Sequence, residues 1–226
     1  MEPSPLDNAV WHALTTHHAG FADVAGTARR YRPDVSVFGA VEHFDDDAWD
    51  DLAALAAPGR PAVLFRPDLP EPPPGWTRLG GGVGHQMVLR ELAAVDVPDA
   101  RSLGPADAPE MMALVELTRP GPFAMRTVEL GGYVGVFDDG QLVAMAGERL
   151  HLPGFCEISA VCTRPDHRGR GLAAGLTALV ARAIEARGEQ PFLHHASENH
   201  PARRVYESLG FEFRRTVGFA AFGAPA

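Results

Sequence analysis

Sulfur is scarce in this chain, long apolar runs are missing, and positive charge is outnumbered; each shortage excludes a class of protein. Only two cysteines, Cys156 and Cys162, occur among 226 residues. They fall in and beside one predicted strand, where six residues span about 20 Å, beyond disulfide reach. No CxxC pattern or second cysteine pair points to zinc, so both read as buried thiols. No apolar run approaches the roughly 18 residues of a membrane span. The N-terminus MEPSPLDNAVWHALTTHH has no basic segment followed by an apolar core. A soluble, cytoplasmic protein without a membrane partner is expected. Lys and Arg number 20 against 29 Asp and Glu, a formal charge of -9. That balance argues against a nucleic-acid partner held by bulk electrostatics. No repeat at a fixed period implies a solenoid.

What is present is ordinary for a globular chain: 46% apolar and 22% charged residues, with enough length for one large domain or two small ones. The first 95 residues are the less regular part. NAVWHALTTHHAGFA reads as a helix from Asn8. SVFGAVEHF and PAVLFR read as short strands around DDDAWDDLAALAA, a helix whose Asp45, Asp46 and Asp47 suit its positive N-terminal end. Residues 67–84, with five prolines and five glycines, read as a loop, and HQMVLREL resumes as a strand. A domain boundary near residue 95 is expected.

Beyond it the pattern sharpens. A helix is expected over 106–118 behind Pro105, then a turn-rich connection, RPGPFAMRTVELG. A hairpin follows over 133–150 around the DDGQ turn. EISAVCT and PFLHHA read as strands on either side of a helix over 171–187 that stops at Gly188. A short helix, NHPARRVYESLG, is capped by Asn199, and FEFRRTVGFAAF closes the sheet. The order of the second half describes a mixed α/β domain.

The stretch RPDHRGRGLA, residues 164–173, sits between a strand and a long amphipathic helix. A helix begins with unpaired N–H groups and about half a positive charge. Glycines that let the preceding loop come close turn that end into an anion cradle. Arg168, Gly169, Arg170 and Gly171 supply glycine amides and two guanidinium groups, with Leu172 and Ala173 opening the helix. A pyrophosphate fits this hinge. There is no GxxxxGK, no lysine near the turn and no GxGxxG, so neither a Walker nor a dinucleotide site is expected.

The strand, VCTxP and then RGRGLA resemble motif A of the GCN5-related N-acetyltransferases, the GNAT family. ENHPARRVYESLGF, residues 198–211, is similar to its second signature. The resemblance covers residues 97–226. It implies a mixed-sheet GNAT (acyl-CoA N-acyltransferase) fold, with residues 96–226 as the catalytic domain. Residues 1–95 are then an additional N-terminal α/β half, accessory or a degenerate copy. GGGVG at 80–84 precedes a strand instead of opening a helix, so no second active site is expected there.

The resemblance further implies acetyl-CoA as co-substrate and no metal. Backbone amides of Gly169, Gly171 and Ala173 would hold its pyrophosphate, and Val161, Cys162 and Thr163 its pantetheine arm, where the strand and PFLHHA splay apart. Asn199 would contact the cofactor and Tyr206 would protonate the departing thiolate. The N–H of Val161 or Cys162 is the candidate oxyanion donor. For the base, Glu157 leads and Glu148 is second. His194 and His195, adjacent in a strand, point to opposite faces, and His195 is the candidate for substrate contact. Phe123 and Arg126, with Arg119 and Met125 nearby, are the candidate acceptor wall. The expected reaction is direct attack by a primary amine of a small metabolite on the thioester, by a monomer or homodimer. Acetylation of a protein or peptide N-terminus and a non-catalytic acyl-CoA-binding module are the alternatives.

Overall fold

A computed structural model describes residues 4–56 and 60–225. The elements run α1 (Ala9–Thr15), β1 (Ala22–Ala25), β2 (Ala28–Tyr31), β3 (Phe38–Ala40), α2 (Asp46–Leu55), β4 (Ala62–Arg66), β5 (Thr77–Leu89) and β6 (Arg101–Leu103). They continue with α3 (Ala108–Thr118), β7 (Tyr133–Asp138), β8 (Gln141–Leu152), β9 (Phe155–Thr163), α4 (Leu172–Ala186), β10 (Gln190–Ala196), α5 (His200–Ser208) and β11 (Phe211–Gly223). All eleven strands form one mixed sheet in the order β1-β2-β3-β4-β11-β5-β10-β9-β8-β7-β6. Among the described residues no helix is long and apolar enough to cross a membrane.

The sequence pattern explains most of these elements. In α4, Leu172, Leu176, Val180 and Ile184 recur every four residues and are buried together against Val143, Ala144 and Ile158 of the sheet. The helix ends as Gly188 takes φ +78°, where glycine carries no Cβ penalty. In α2, Asp45 accepts a hydrogen bond from the Ala48 N–H at 2.9 Å, which satisfies one of the free N-terminal donors. The expected end of that helix, Ala57, lies outside the described residues.

Three expectations for the first 95 residues are corrected. The helix expected over residues 8–22 stops at Thr15, and residues 16–21 form a turn and a short 3₁₀ turn, Ala19–Phe21, that leads into the hairpin of β1 and β2. SVFGAVEHF supplies only the three-residue β3. Most consequentially, residues 77–84 are strand and not loop: β5 runs for 13 residues, paired with β11 from Thr77 opposite Gly223 to Leu89 opposite Phe211. The glycines are required there by close approach. A Cβ on Gly81 would stand 2.3 Å from the Phe219 carbonyl oxygen, and one on Gly82 would meet the Phe219 ring at 2.7 Å. Because β5 lies between β11 and β10, the sheet is continuous across the expected boundary at residue 95.

Two of the sheet's irregularities fall together at its centre. β9 and β10 pair in parallel only from Phe155 opposite Gln190 to Ile158 opposite Leu193, although both strands continue. On its other side β9 slips register against β8 between Ser159, opposite Gly147, and Cys162, opposite Met145. Ala160 in this bulge has φ +53°, the left-handed region that a non-glycine residue rarely occupies. The extra residue inverts the facing of the strand. Cys156 and Ile158 pack in the α4 cluster, whereas Cys162, an even number of residues further on, packs with Met145, Met111 and Leu114 beside α3.

Candidate active site

Where β9 and β10 part, a cleft of about 700 Å³ opens. One wall is β9 from Ile158 to Thr163, and the other is His194, His195 and Ala196 of β10 with Asn199, Ala202 and Tyr206 beyond it. The hinge before α4 closes one end. A 3₁₀ turn at Pro165–His167 is followed by Gly169 and Gly171 at φ +78° and +74°, so an L side chain at either would be strained. Gly171 caps α4, and its carbonyl already accepts from the Gly175 N–H at 3.0 Å. The N–H groups of the first turn therefore have no partner within the helix and remain for an anion.

Of the residues expected at the cofactor, Val161, Cys162, Thr163, Arg168, Gly169, Gly171, Leu172, Ala173 and Asn199 line this cleft. Arg170 does not; its guanidinium lies 3.5 Å from Asp138 on the outside of the hinge. Asn199 also caps α5, its side-chain oxygen accepting from the Ala202 N–H at 3.2 Å. The Cys162 thiol is pushed up to about 11 by burial, which keeps it protonated and poorly nucleophilic.

His195 and Tyr206 share the far wall. The Nδ1–H of His195 donates to the Ala196 carbonyl at 2.8 Å, and this fixes the tautomer. Its Nε2 is buried without a hydrogen-bond partner among the described residues. Burial lowers the His195 pKa, opposed by that backbone hydrogen bond, so the ring is neutral and Nε2 is an acceptor. The charged and titratable groups facing it are His85, Arg203 and Glu207, with the Tyr206 ring 6.1 Å away. Burial pushes the Tyr206 hydroxyl up to about 12, so it stays a proton donor. A second orphan, the Thr163 hydroxyl, has no hydrogen-bond partner among the described residues on the β9 side.

Beneath the cleft lies a polar network of Arg149, Glu157, His194 and Gln86 in which no buried side-chain polar atom lacks a partner. Glu157, 0% exposed, accepts from Arg149 Nε at 2.8 Å and Nη2 at 2.6 Å and from His194 Nδ1 at 2.7 Å. His194 Nε2 is met by the Gln86 amide at 3.0 Å. The same amide donates to the Leu6 carbonyl at 3.0 Å, and Gln86 Oε1 accepts from Arg214 at 2.7 Å. Burial would raise Glu157, but the Arg149 charge and the hydrogen bonds outweigh it and hold the carboxyl at about 2. Burial keeps His194 neutral, lowering its pKa against the pull of Glu157. This corrects the expectation of Glu157 as the base: it is fully buried and is not a group on the cleft wall. Arg149 and His194 stand between it and the cavity. Glu148 is likewise engaged elsewhere, accepting from Arg187 at 3.0 Å and from the Gly132 N–H at 3.2 Å.

The acceptor wall is corrected too. Arg126 is tied to Glu129 and Asp34 at 2.7 and 3.2 Å, and Phe123 packs edge-on to Tyr133, 5.9 Å between centroids. Neither borders the cleft. Arg119 and Pro120 do, because Arg119 ends α3 with φ +49° and the chain turns inward there. Arg149 was missed by sequence reading. The signal was one base and one acid in adjacent apolar runs, RLHL and CEIS, which a sheet buries only as a pair.

Residues 133–219 match the family model of FR47-like proteins. A solved structure of a GNAT-family protein from Novosphingobium aromaticivorans, described as an acetyltransferase, is 38% identical. It covers 99% of this chain and 100% of its own, with a TM-score of 0.91. A GCN5-related N-acetyltransferase from Kribbella flavida shares the fold at 20% identity and a TM-score of 0.64, over 98% of this chain and 96% of its own. The mycothiol acetyltransferase of Corynebacterium aurimucosum is 40% identical over 60 residues, 26% of this chain and 20% of that protein.

Proposed function

We propose, from the premise that this chain belongs to the GNAT family and is an acetyltransferase that uses acetyl-CoA, that it acetylates the primary amine of a small metabolite at the splay between β9 and β10. The observation that carries the reading is the pair of orphaned polar atoms on opposite walls of the cleft, Thr163 Oγ1 and His195 Nε2. They lie above a glycine-rich helix N-terminus with open space over both glycines. Buried polar atoms without partners are costly unless a ligand completes them.

The cofactor fits this donor set. Amides at Gly169, Gly171 and Ala173, with Arg168, hold the pyrophosphate at the positive end of α4. The edge of β9 from Val161 to Thr163, released from β10, pairs with the amide-bearing arm, and the Thr163 hydroxyl takes one further hydrogen bond. When bound, acetyl-CoA supplies the activated acyl group; this chain's residues orient it and move protons. Val161 lies in the β9 bulge without a β8 partner, so its N–H is the better oxyanion donor of the two candidates.

His195 Nε2 takes the proton that the attacking amine must lose as the N–C bond forms, and its Nδ1 stays held by Ala196. As the C–S bond breaks, Tyr206 gives its phenolic proton to the thiolate, and solvent returns the proton balance between the two side chains. Arg149, Glu157 and His194 keep the floor rigid and take no proton. Arg119 is in no ion pair among the described residues and lines the acceptor end. It is suited to bind a carboxylate or other anion on the acceptor. Residues before β5 serve as an accessory half that extends the sheet through β4 and β11.

A thiol-release assay across amines with and without an anionic group tests this reading. Turnover concentrated on anionic small amines, lost selectively in Arg119→Ala, is the expected outcome. Preference for peptides with a free N-terminus, indifferent to Arg119, would replace the small-metabolite reading.

A further inference from the structure

Away from the cleft, three chemistry-bearing side chains from three separate elements converge. His17 stands in the turn after α1, His151 near the end of β8, and Glu189 in the turn between α4 and β10. Their ligand atoms all lie within 4.8 Å of one another. The His17 and His151 rings stack at 4.0 Å between centroids and 12° between planes, and His151 Nε2 contacts Glu189 Oε1. We propose that His17, His151 and Glu189 form a binding site for a borderline divalent transition metal such as zinc, with a fourth position open to water through the exposed side of His17.

Two imidazoles and one carboxylate are a donor set that suits such ions and not calcium or magnesium. Tetrahedral ligands at about 2.0–2.1 Å from zinc stand about 3.3 Å apart. The donor atoms, all within 4.8 Å of one another, need to close by no more than about 1.5 Å to reach that spacing. The supports are built. Arg187 donates to Glu189 Oε2 at 3.0 Å and leaves Oε1 toward the histidines. The turn that presents His17 is anchored by its buried neighbour His18, which meets the Tyr31 hydroxyl at 2.7 Å and the Leu130 carbonyl at 3.2 Å. Such second partners fix ligand orientation. The local charge also favours a cation, since Glu148 and Glu189 share the single Arg187.

The site lies off the cleft but not far from it: the cleft wall begins at Ile158, opposite Glu148, three residues from His151 and about 10 Å along β8 at the strand rise. His151 pairs opposite Cys156, and the far end of the cleft, at Thr163 opposite Ala144, is about 23 Å back along β8. Its effect is a clip: the metal ties the turn after α1 to the sheet between residues far apart in sequence, and stabilises the folded state by mass action.

The test titrates Co²⁺ into the chelator-treated full-length protein, followed by Zn²⁺ competition and thermal unfolding with each metal alone. One equivalent of Co²⁺ with the ligand-field bands of a four-coordinate N/O site, displaced by Zn²⁺, is expected. So is an unfolding temperature that rises with metal concentration. His17→Ala, His151→Ala and Glu189→Gln should each weaken binding at least tenfold. His17 is exposed, so its variant keeps the fold, and His12→Ala serves as control with binding unchanged. Acetyl transfer by His17→Ala should be unaltered. Failure to bind one equivalent, or equal affinity in the His17 and His151 variants, overturns the proposal.

Discussion

Two polar groupings lie within one cleft's depth of each other and differ in how completely they are satisfied. Under the floor, Arg149, Glu157, His194 and Gln86 bond one another and the Leu6 carbonyl. On the walls, Thr163 Oγ1 and His195 Nε2 are buried and unpaired. The closed network has its protonation states set by its own members and is suited to hold position. The open pair has capacity left over, which is what binding and proton transfer require.

Breaking the closed network should give the largest effect. Arg149→Ala leaves Glu157 charged and buried without its main partner, and should cost about 3–5 kcal/mol in denaturant unfolding. Replacing Arg149 and Glu157 together by Met and Leu should cost much less than that single change. The same network sets a pH limit on stability. Glu157 is held at about 2 against an ordinary value of 4.5, so its contribution is complete above 4.5 and is lost as pH falls from 4.5 toward 2. A Glu157→Gln variant should lack that part of the acid transition.

The open wall should show the reverse, activity lost with stability kept. His195→Ala should lower kcat about 100-fold and leave the unfolding midpoint nearly unchanged. Because burial lowers the His195 pKa, the wild-type rate should rise with pH through a limb below the usual histidine value of about 6.5, and the variant should lack that limb. An effect on stability as large as that of Arg149→Ala would erase the distinction between the two groupings. Tyr206→Phe should be milder, about tenfold in kcat with acetyl-CoA affinity kept. An unchanged rate would make the tyrosine a packing residue against Phe211, 6.2 Å away.

The same division runs through what the sequence discloses. The geometry of the hinge was readable because RGRGLA carries it in local order: glycines that take positive φ, then a helix repeating Leu172, Leu176, Val180 and Ile184. The placement of Asn199 and Tyr206 at the cleft was readable for the same local reason. Long-range pairing was not. Nothing near Gly80, Gly81 and Gly82 tells that β11 will press against them, so a strand read as a loop. The burial of Glu157 depends on Arg149 one strand away, and the exclusion of Arg126 from the cleft depends on Asp34, 92 residues back. Local order located the hinge at the cleft; the partners of single charges had to come from the fold.

The central claim is that the glycine hinge and the parted strands hold acetyl-CoA. Its most direct test is calorimetric titration of the wild-type protein and Gly171→Val with acetyl-CoA, with ATP in parallel. Saturable 1:1 binding of acetyl-CoA, little response to ATP, and at least tenfold weaker affinity in a folded Gly171→Val is the result predicted, since valine strains the φ of +74° that aims the hinge amides. Equal affinity in the variant, or no binding by the wild type, would contradict it.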